Sequence, residues 1–325
     1  MTSRRTFLQL TGATLASSIV PLPASSAQAA YPTRPITGVV GFAAGSAIDV
    51  IARIVADQLS VQLGQQFIID NRGGAGGLIA ANLVAAAAPD GYTLLIHSCG
   101  HSLTPLIHPD ARFDTATAFS GIGSFGSVPT ITVISPSKGV KTLQQLVTYC
   151  KTETRSFASA GVGSASHWAV ERLMASAGFH ATHVPFKGSP EAMREVAAGR
   201  VDFMSFGLPS VRPFIVEGRF LALATSTPKR TAALPDVPTT LECGYPDSDF
   251  VFWNGLLAPA KTPRTIIDYL YKELEKALNM PSVKEKFAPL GNEPMPMTST
   301  EFDTMIHKEI KDNLALAKKA GLKFD

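Results

Sequence analysis

Strong charge of either sign and long hydrophobic runs are both missing from this sequence. Only 17% of the 325 residues are charged, and 29 basic residues nearly balance 26 acidic ones, for a formal net charge of +3. Intrinsic disorder is excluded because it requires low hydrophobicity and high net charge, whereas 45% of these residues are hydrophobic. A nucleic-acid-binding protein would usually carry a clear basic excess. Beyond the N-terminus no stretch of about 18 apolar residues occurs, so we expect a soluble mature chain.

Cysteine is scarce, and the motifs of metal and redox sites are missing. Cys99, Cys150 and Cys243 are far apart and form no C-x-x-C pair, and the seven histidines show no H-E-x-x-H spacing. We therefore predict no metal and no cofactor. Three buried, reduced cysteines are the favoured interpretation, and one disulfide with one free thiol remains open.

The N-terminus has the pattern of an export signal. Arg4 and Arg5 precede an apolar run from Leu8 to Val20, and Ala27-Gln28-Ala29 fits a cleavage site. The adjacent arginines resemble a twin-arginine signal, with an ordinary Sec signal as the alternative. Residues 1–29 are thus predicted to be a signal peptide cleaved after Ala29, which places the protein in the periplasm. Removing two arginines and no acid lowers the net charge to +1.

Short β-branched runs alternate with amphipathic segments along the rest of the chain. This alternation predicts βαβ units, with a mainly parallel sheet covered on both faces. The predicted strands include 36–42, 66–70, 93–97, 130–134, 157–159, 201–206, 221–225 and 250–257. The predicted helices include one ending at Leu63, one starting after Thr142 as N-cap, and one after Thr298-Ser299-Thr300.

Two α/β units joined by two extended segments suggest a two-lobed binding protein with a cleft between the lobes. Residues 30–127 and 253–325 are predicted to form lobe 1, and residues 128–252 lobe 2. Hinge closure over the cleft would then trap a ligand.

Two turns lead from a strand directly into a helix and are rich in small residues. They span residues 42–46 and 159–164. Helix N-termini carry unpaired N–H groups and partial positive charge, so two such turns facing one cleft are suited to holding a carboxylate. Each turn taken alone is equally a plain strand-to-helix connection.

Other chemistries fit the sequence less well. The glycine-rich loop 71–77 fails the G-x-G-x-x-G template, and a tight glycine turn is the favoured interpretation. No G-x-S-x-G elbow is present. An exported hydrolase that uses Ser164, His167 and an acid remains the alternative function.

Several blocks then occur in a distinctive order: YPTRPI at 31–36, FAAG at 42–45, PDGYTLL at 89–95, HVPFKG at 183–188 and LPDVPT at 234–239. This ordered set resembles the Bug family, the TctC-like extracytoplasmic solute receptors of tripartite tricarboxylate transport systems. The resemblance covers nearly all of the chain after the signal.

The resemblance implies a type II-like periplasmic binding protein fold of the α/β class, with a mixed sheet in each lobe and two crossover segments. It also implies a monomer that binds a small carboxylate, delivers it to a membrane permease, and has neither enzymatic activity nor a nucleic-acid partner. The resemblance indicates ligand-binding residues in the two turns and after the third strand. They are Phe42, Ala43, Ala44, Gly45, Ser46, Ala47, Ser98, Ser159, Ala160, Gly161, Gly163 and Ser164. Phe186 and Trp253 are added as candidates that line the cleft.

Two of these positions carry a specific uncertainty. Trp253 either lines the cleft or packs at the hinge. Ser46 stands where the family usually has a second glycine, so it would restrict positive φ and add a hydroxyl near the ligand.

Overall fold

Strands and helices alternate as the sequence predicts in the computed structural model, which describes residues 31–320. The strands are β1 (Ile36–Val40), β2 (Phe67–Asn71), β3 (Thr93–Ser98), β4 (Phe119–Val128), β5 (Thr130–Ile134), β6 (Arg155–Ser159), β7 (Ala181–Pro185), β8 (Phe203–Gly207), β9 (Leu221–Thr225) and β10 (Phe252–Pro259). The helices are α1 (Ala47–Leu63), α2 (Leu78–Ala85), α3 (Thr104–Ile107), α4 (Leu143–Thr152), α5 (Ala165–Ala177), α6 (Ser189–Ala197), α7 (Leu208–Val216), α8 (Arg264–Asn279), α9 (Pro281–Phe287) and α10 (Ser299–Ala320). The predicted signal peptide and its cleavage after Ala29 lie outside the described residues.

The strands form two five-stranded sheets, and each mixes parallel and antiparallel neighbours. The first sheet has the order β2-β1-β3-β10-β4, and the second has the order β7-β6-β8-β5-β9. β1 is parallel to β2 and β3, as β6 is to β7 and β8. β10 runs antiparallel to β3 and β4, and β5 to β8 and β9. The predicted α/β fold with a mixed sheet in each half is therefore confirmed.

The chain passes between the two sheets twice. β4 ends at Val128 in the first sheet, and β5 begins at Thr130 in the second. The return comes after β9, when the chain re-enters the first sheet at Phe252. The division into two lobes at 127/128 and 252/253 stays a prediction.

Strand β4 is the longest element that the sequence analysis did not predict. Its ten residues include Gly121, Gly123 and Gly126, and glycine is depleted in strands. Helices pack directly against this strand: a Cβ at Gly121 would lie 2.8 Å from the Phe302 ring, and one at Gly123 would lie 3.1 Å from Leu274. The low strand propensity of glycine hides this strand from sequence analysis. The glycines are explained instead by helices that pack closely against it, which is a tertiary effect.

The predicted helix caps are confirmed by their hydrogen bonds. The Gln145 N–H donates to the Thr142 side chain at 3.2 Å, which caps α4. Before α10, the Glu301 N–H donates to Thr298 Oγ1 at 3.2 Å, and the Thr298 N–H donates to the Glu301 carboxylate at 2.7 Å. This reciprocal pair is a capping box, and it fixes the helix start from sequence alone.

Candidate functional site

A narrow cavity of about 20 Å³ is lined by residues from both sheets. Residues from the β1–α1 connection and the end of β3 meet residues from the β6–α5 and β8–α7 connections, together with the first residues of β5, α6 and β10. The lining residues are Phe42, Ser46, Ala47, Ile48, Ser98, Thr130, Ala160, Ser164, Ala165, Ser166, Ser189, Ser205, Phe206, Gly207 and Phe252. These described residues offer hydroxyl groups and apolar surface, and none of them carries a charged side chain.

The β1–α1 loop is fixed by the carboxylate of Asp49, a residue that is only 2% exposed. Its Oδ2 accepts a hydrogen bond from the Gly45 N–H at 2.8 Å, and its Oδ1 accepts one from Asn71 Nδ2 at 2.9 Å. Arg53, one turn later on α1, pairs with the same carboxylate at 3.0 Å. Asn71 Nδ2 also donates to the Phe42 carbonyl at 3.0 Å. Asp49 thus holds the loop in place, and it occupies the Gly45 N–H that the sequence offered as a ligand donor.

Helix α1 begins with an N-cap residue that leaves the helix end open. Ser46 has φ −70° and ψ 159°, and its side chain makes no capping hydrogen bond. This φ is ordinary for serine, so its place at a family glycine requires no strained backbone. The Ser46 Oγ is buried and has no protein partner. Together with the first-turn N–H groups from Ala47 onward, it makes a donor-rich, electrostatically positive end of the cavity.

The β6–α5 loop is satisfied by its own hydrogen bonds. The Ala160 N–H donates to Ser166 Oγ at 3.0 Å, and the Gly161 N–H donates to Ser159 Oγ at 3.1 Å. The Ser164 N–H donates to the Gly161 carbonyl at 3.1 Å. The main-chain donors expected in this loop therefore already have acceptors inside the protein.

A pair of stacked histidines supports the β6–α5 loop from below. The rings of His167 and His183 are parallel, with centroids 3.9 Å apart. The Gly163 N–H donates to His167 Nδ1 at 3.2 Å, and His183 Nε2 lies 2.6 Å from Ser159 Oγ. Burial, and then the neighbouring His167, lowers the pKa of His183 to about 3. His183 is therefore neutral at physiological pH, and its role at this loop is structural.

Six of the fourteen predicted ligand-binding residues line the cavity: Phe42, Ser46, Ala47, Ser98, Ala160 and Ser164. Seven others form or support the two loops without lining it: Ala43, Ala44, Gly45, Ser159, Gly161, Gly163 and Phe186. Phe186 is held by its N–H, which donates to the Ser159 carbonyl at 3.0 Å.

Trp253 lies on the face of β10 that points away from the cavity. It is fully buried, its Nε1 donates to Glu309 Oε2 at 2.8 Å, and its ring packs edge-on against Phe302. Because successive side chains of a strand point to opposite faces, the preceding residue, Phe252, lines the cavity instead. Trp253 therefore does not line this cavity, and in the structure it packs between β10 and α10.

Sequence reasoning missed the lining residues that come from strand ends in the second sheet. Thr130 opens β5, while Ser205, Phe206 and Gly207 close β8. No local motif marks these positions. Only the strand order, which brings β5 and β8 side by side, shows that they reach the same cavity.

Gly76 of the glycine-rich loop 71–77 lies in close contact with the other half of the structure. A Cβ on Gly76 would overlap the Val162 carbonyl oxygen of the β6–α5 loop. A second close contact joins the loop before α6 to the β1–α1 loop, because a Cβ on Gly188 would lie 2.6 Å from the Ala43 Cβ. These glycines let loops of the two sheets meet backbone to backbone.

Within residues 31–320 the structure contains neither a disulfide nor a metal-binding cluster. All three cysteines are free, and burial raises the pKa of Cys150 to about 12. Within residues 31–320 no cluster of side chains is suited to a metal ion. No helix in that range combines the length and apolarity needed to span a bilayer.

Comparison with known proteins gives a consistent result. Residues 51–322 match the family described as the tripartite tricarboxylate transporter family receptor. Protein BugT of Bordetella pertussis is 32% identical over 300 residues, which cover 90% of this chain and 91% of BugT.

Three solved structures resemble this one closely. Periplasmic binding protein BugD has a TM-score of 0.87 at 32% identity, over 90% of this chain and 99% of that one. Rpa4515 of R. palustris, solved with adipate, has a TM-score of 0.86 at 33% identity, over 90% and 98%. MatC of Rhodopseudomonas palustris, solved with bound malate, has a TM-score of 0.83 at 30% identity, over 87% and 98%.

Proposed function

Because this chain belongs to the tripartite tricarboxylate transporter receptor family, we propose that it is a periplasmic solute-binding protein that captures a small organic carboxylate. The open N-terminus of α1 carries this proposal. There the unpartnered Ser46 Oγ and the first-turn N–H groups face a cavity whose described lining residues have no charged side chain. Oriented dipoles of this kind hold an anion without a cationic side chain.

The remainder of the cavity suits the carbon skeleton of such a ligand. Phe42, Phe206 and Phe252 give it apolar walls, and pockets for small molecules commonly combine such walls with a few placed polar groups. The R. palustris proteins solved with adipate and with bound malate support a small organic carboxylate as the ligand of this chain.

Capture requires the two halves of the structure to move apart and together. We place lobe 1 at residues 30–127 and 253–325 and lobe 2 at residues 128–252, with the two crossings as hinge. The backbone contacts of Gly76 and Gly188 with the opposite half support a closed state in which the loops cover the ligand. Hinge closure of this type is a common means of sequestering a ligand.

Export and delivery complete the proposal. The pattern of residues 1–29 supports twin-arginine export and cleavage after Ala29, so the mature chain would work as a periplasmic monomer. Family membership supports handover of the bound carboxylate to a cognate membrane permease.

A hydrolase is the weaker alternative. Ser164 Oγ donates to the Gly161 carbonyl at 2.7 Å and accepts from the His167 N–H as a helix cap. The His167 ring is engaged at both nitrogens, by the Gly163 N–H and by Glu171 at 3.4 Å. A general base needs a free ring nitrogen within reach of the nucleophile, so we propose that the protein has no hydrolytic activity.

A thermal-shift screen of organic carboxylates tests the function. A ligand at 100 times its Kd stabilises the folded state by about 2.7 kcal/mol, so at least one carboxylate should raise the melting temperature by several degrees. Ser46→Ala should weaken binding of that carboxylate about tenfold, because a hydrogen bond to a charged group contributes about 1.5–3 kcal/mol. Thr148→Ala, on the exposed side of α4, is the matched control. Turnover of esters, with no shift from any carboxylate, would reject the proposal.

A further inference from the structure

One side of the cavity holds several buried polar atoms that have no partner in the protein. They are Ser46 Oγ, Ser98 Oγ and Thr130 Oγ1, on residues that are 3%, 1% and 1% exposed. All three residues line the cavity. A buried polar group without a partner costs about 1–3 kcal/mol, so a ligand that supplies partners to these three hydroxyls would be stabilised in the cavity.

Three other hydroxyl groups of the cavity lining are satisfied internally. Ser164 Oγ donates to the Gly161 carbonyl, Ser166 Oγ accepts from the Ala160 N–H, and Ser205 Oγ lies 2.8 Å from a threonine hydroxyl of β5. The cavity-lining hydroxyls that lack a partner therefore lie at the start of α1, the end of β3 and the start of β5.

Asn254, which lies next to the cavity lining, has further buried polar atoms without a partner. It is 0% exposed, and both its Oδ1 and its Nδ2 lack a protein partner. It lies directly opposite Ser98 in the antiparallel register of β10 and β3, and two residues after Phe252. Side chains at such positions share one face of a sheet, so Asn254 lies beside Ser98 on the cavity side.

The chemistry of these atoms distinguishes between possible ligand groups. The open end of α1 accounts for one carboxylate. Asn254 Oδ1 can only accept a hydrogen bond, while the hydroxyls of Ser98 and Thr130 donate and accept. A ligand hydroxyl, which does both, can donate to Asn254 Oδ1 and accept from the hydroxyls of Ser98 and Thr130. A second carboxylate can accept from these hydroxyls and from Asn254 Nδ2, but it leaves Asn254 Oδ1 without a donor. It would also bring a second charge into a cavity whose described lining residues carry none.

We propose that the ligand is a hydroxy-substituted monocarboxylate whose hydroxyl group binds at Ser98, Thr130 and Asn254. This inference rests on the proposed function, since it assigns the carboxylate to the α1 end of the same cavity. The three residues determine specificity, and Ser46 contributes to general carboxylate affinity.

Two matched sets of probes test the proposal by isothermal titration calorimetry. The first is hexanoate, 6-hydroxyhexanoate and adipate; the second is benzoate, 4-hydroxybenzoate and terephthalate. In at least one set the hydroxy acid should bind roughly tenfold or more tightly than both other members, because a site built for a hydroxyl discriminates against analogues that lack it.

Variants identify the residues that cause the preference. Thr130→Val and Ser98→Ala remove a hydroxyl with little change of shape, and either should bring the hydroxy and unsubstituted acids to within about threefold of each other. Ser46→Ala should weaken all members of the set alike. Asn254→Leu should reduce the preference, and without ligand its melting temperature should not fall below that of the unaltered protein, since it removes two unpartnered polar atoms.

The outcomes separate the two proposals. Tighter binding of the diacid, or no preference for the hydroxyl, overturns the present inference and leaves a carboxylate receptor. A preference that survives in both Thr130→Val and Ser98→Ala also overturns it. If no member of either set binds and the wider carboxylate screen is negative too, the proposed function fails as well.

Discussion

The free energy of unfolding should fall as the pH rises toward neutrality, and Glu309→Gln should abolish this fall. Glu309 lies on α10 with its carboxylate turned inward, where it accepts a hydrogen bond from Trp253 Nε1 at 2.8 Å. Burial is the main cause that raises its pKa to about 7; the hydrogen bonds from Trp253 and Ser102 act in the opposite direction. Asp312 and Lys308, on the same helix, contribute smaller and opposing effects.

The magnitude follows from the shift. The pKa rises from 4.5 to about 7, and each unit corresponds to about 1.36 kcal/mol, so the effect on the free energy of unfolding is about 3 kcal/mol. Between these two pH values the folded state holds a proton that the unfolded state has released. Stability therefore falls as the pH rises through this interval, and the loss is complete above the folded pKa.

Urea unfolding of the unaltered protein and of Glu309→Gln, at intervals from pH 4.5 to pH 8.5, measures the effect. The variant keeps an acceptor for Trp253 and cannot ionise, so its stability relative to the unaltered protein should rise with pH by about 3 kcal/mol. Asp312→Asn, an exposed carboxylate on the same helix, is the control and should show little of this trend. A stability difference between the two proteins that does not vary with pH would refute the reasoning.

Three further substitutions test the architecture of the cleft and the first sheet. Gly76→Ala should weaken carboxylate binding by about tenfold in calorimetry, because the new Cβ meets the Val162 carbonyl in the closed state; Gly64→Ala, at the same φ of +62° with open space around it, controls for backbone strain. Asp49→Asn should lower the free energy of unfolding by about 1–3 kcal/mol and weaken ligand binding, since it disrupts the hydrogen bonds and ion pair that hold the β1–α1 loop; unchanged affinity would show that the loop needs no such anchor. Gly121→Ala should cost about 1–3 kcal/mol in urea unfolding through contact with α10, and a neutral result would contradict the tight packing described for β4.

Much of the fold was predictable because its signals are local. The β-branched runs of β1 and β5, the glycine-rich turns and the threonine caps at Thr142 and Thr298 each act within a few residues. Strand β4 was not predictable in this way. Its glycines leave room for helices α8 and α10, which come from the C-terminal part of the sequence, and no local sequence pattern predicts that contact.

The candidate site divides along the same line. Ser46 and Ala47 were found because a small-residue turn before a helix is visible in sequence. Thr130 and Phe252 were missed because their proximity depends on strand order. Whether Trp253 or Phe252 lines the cavity depends on which face of β10 points to it, and that face is set by strand pairing.

Apart from β4 and the short helix α3, the sequence by itself determined the element order. It also determined the starts of the helices that face the cavity and the resemblance to a receptor family, since these depend on neighbouring residues and ordered motifs. Only the tertiary structure decided which hydroxyls find partners. The main-chain amides of the β6–α5 loop donate to acceptors in the same segment of the chain, whereas side-chain polar atoms of Ser46, Ser98, Thr130 and Asn254 have no protein partner. The physical reason is that hydrogen-bond satisfaction depends on which distant segments are brought together: Asn254 meets Ser98 through the register of β10 on β3, and no local sequence pattern encodes that contact.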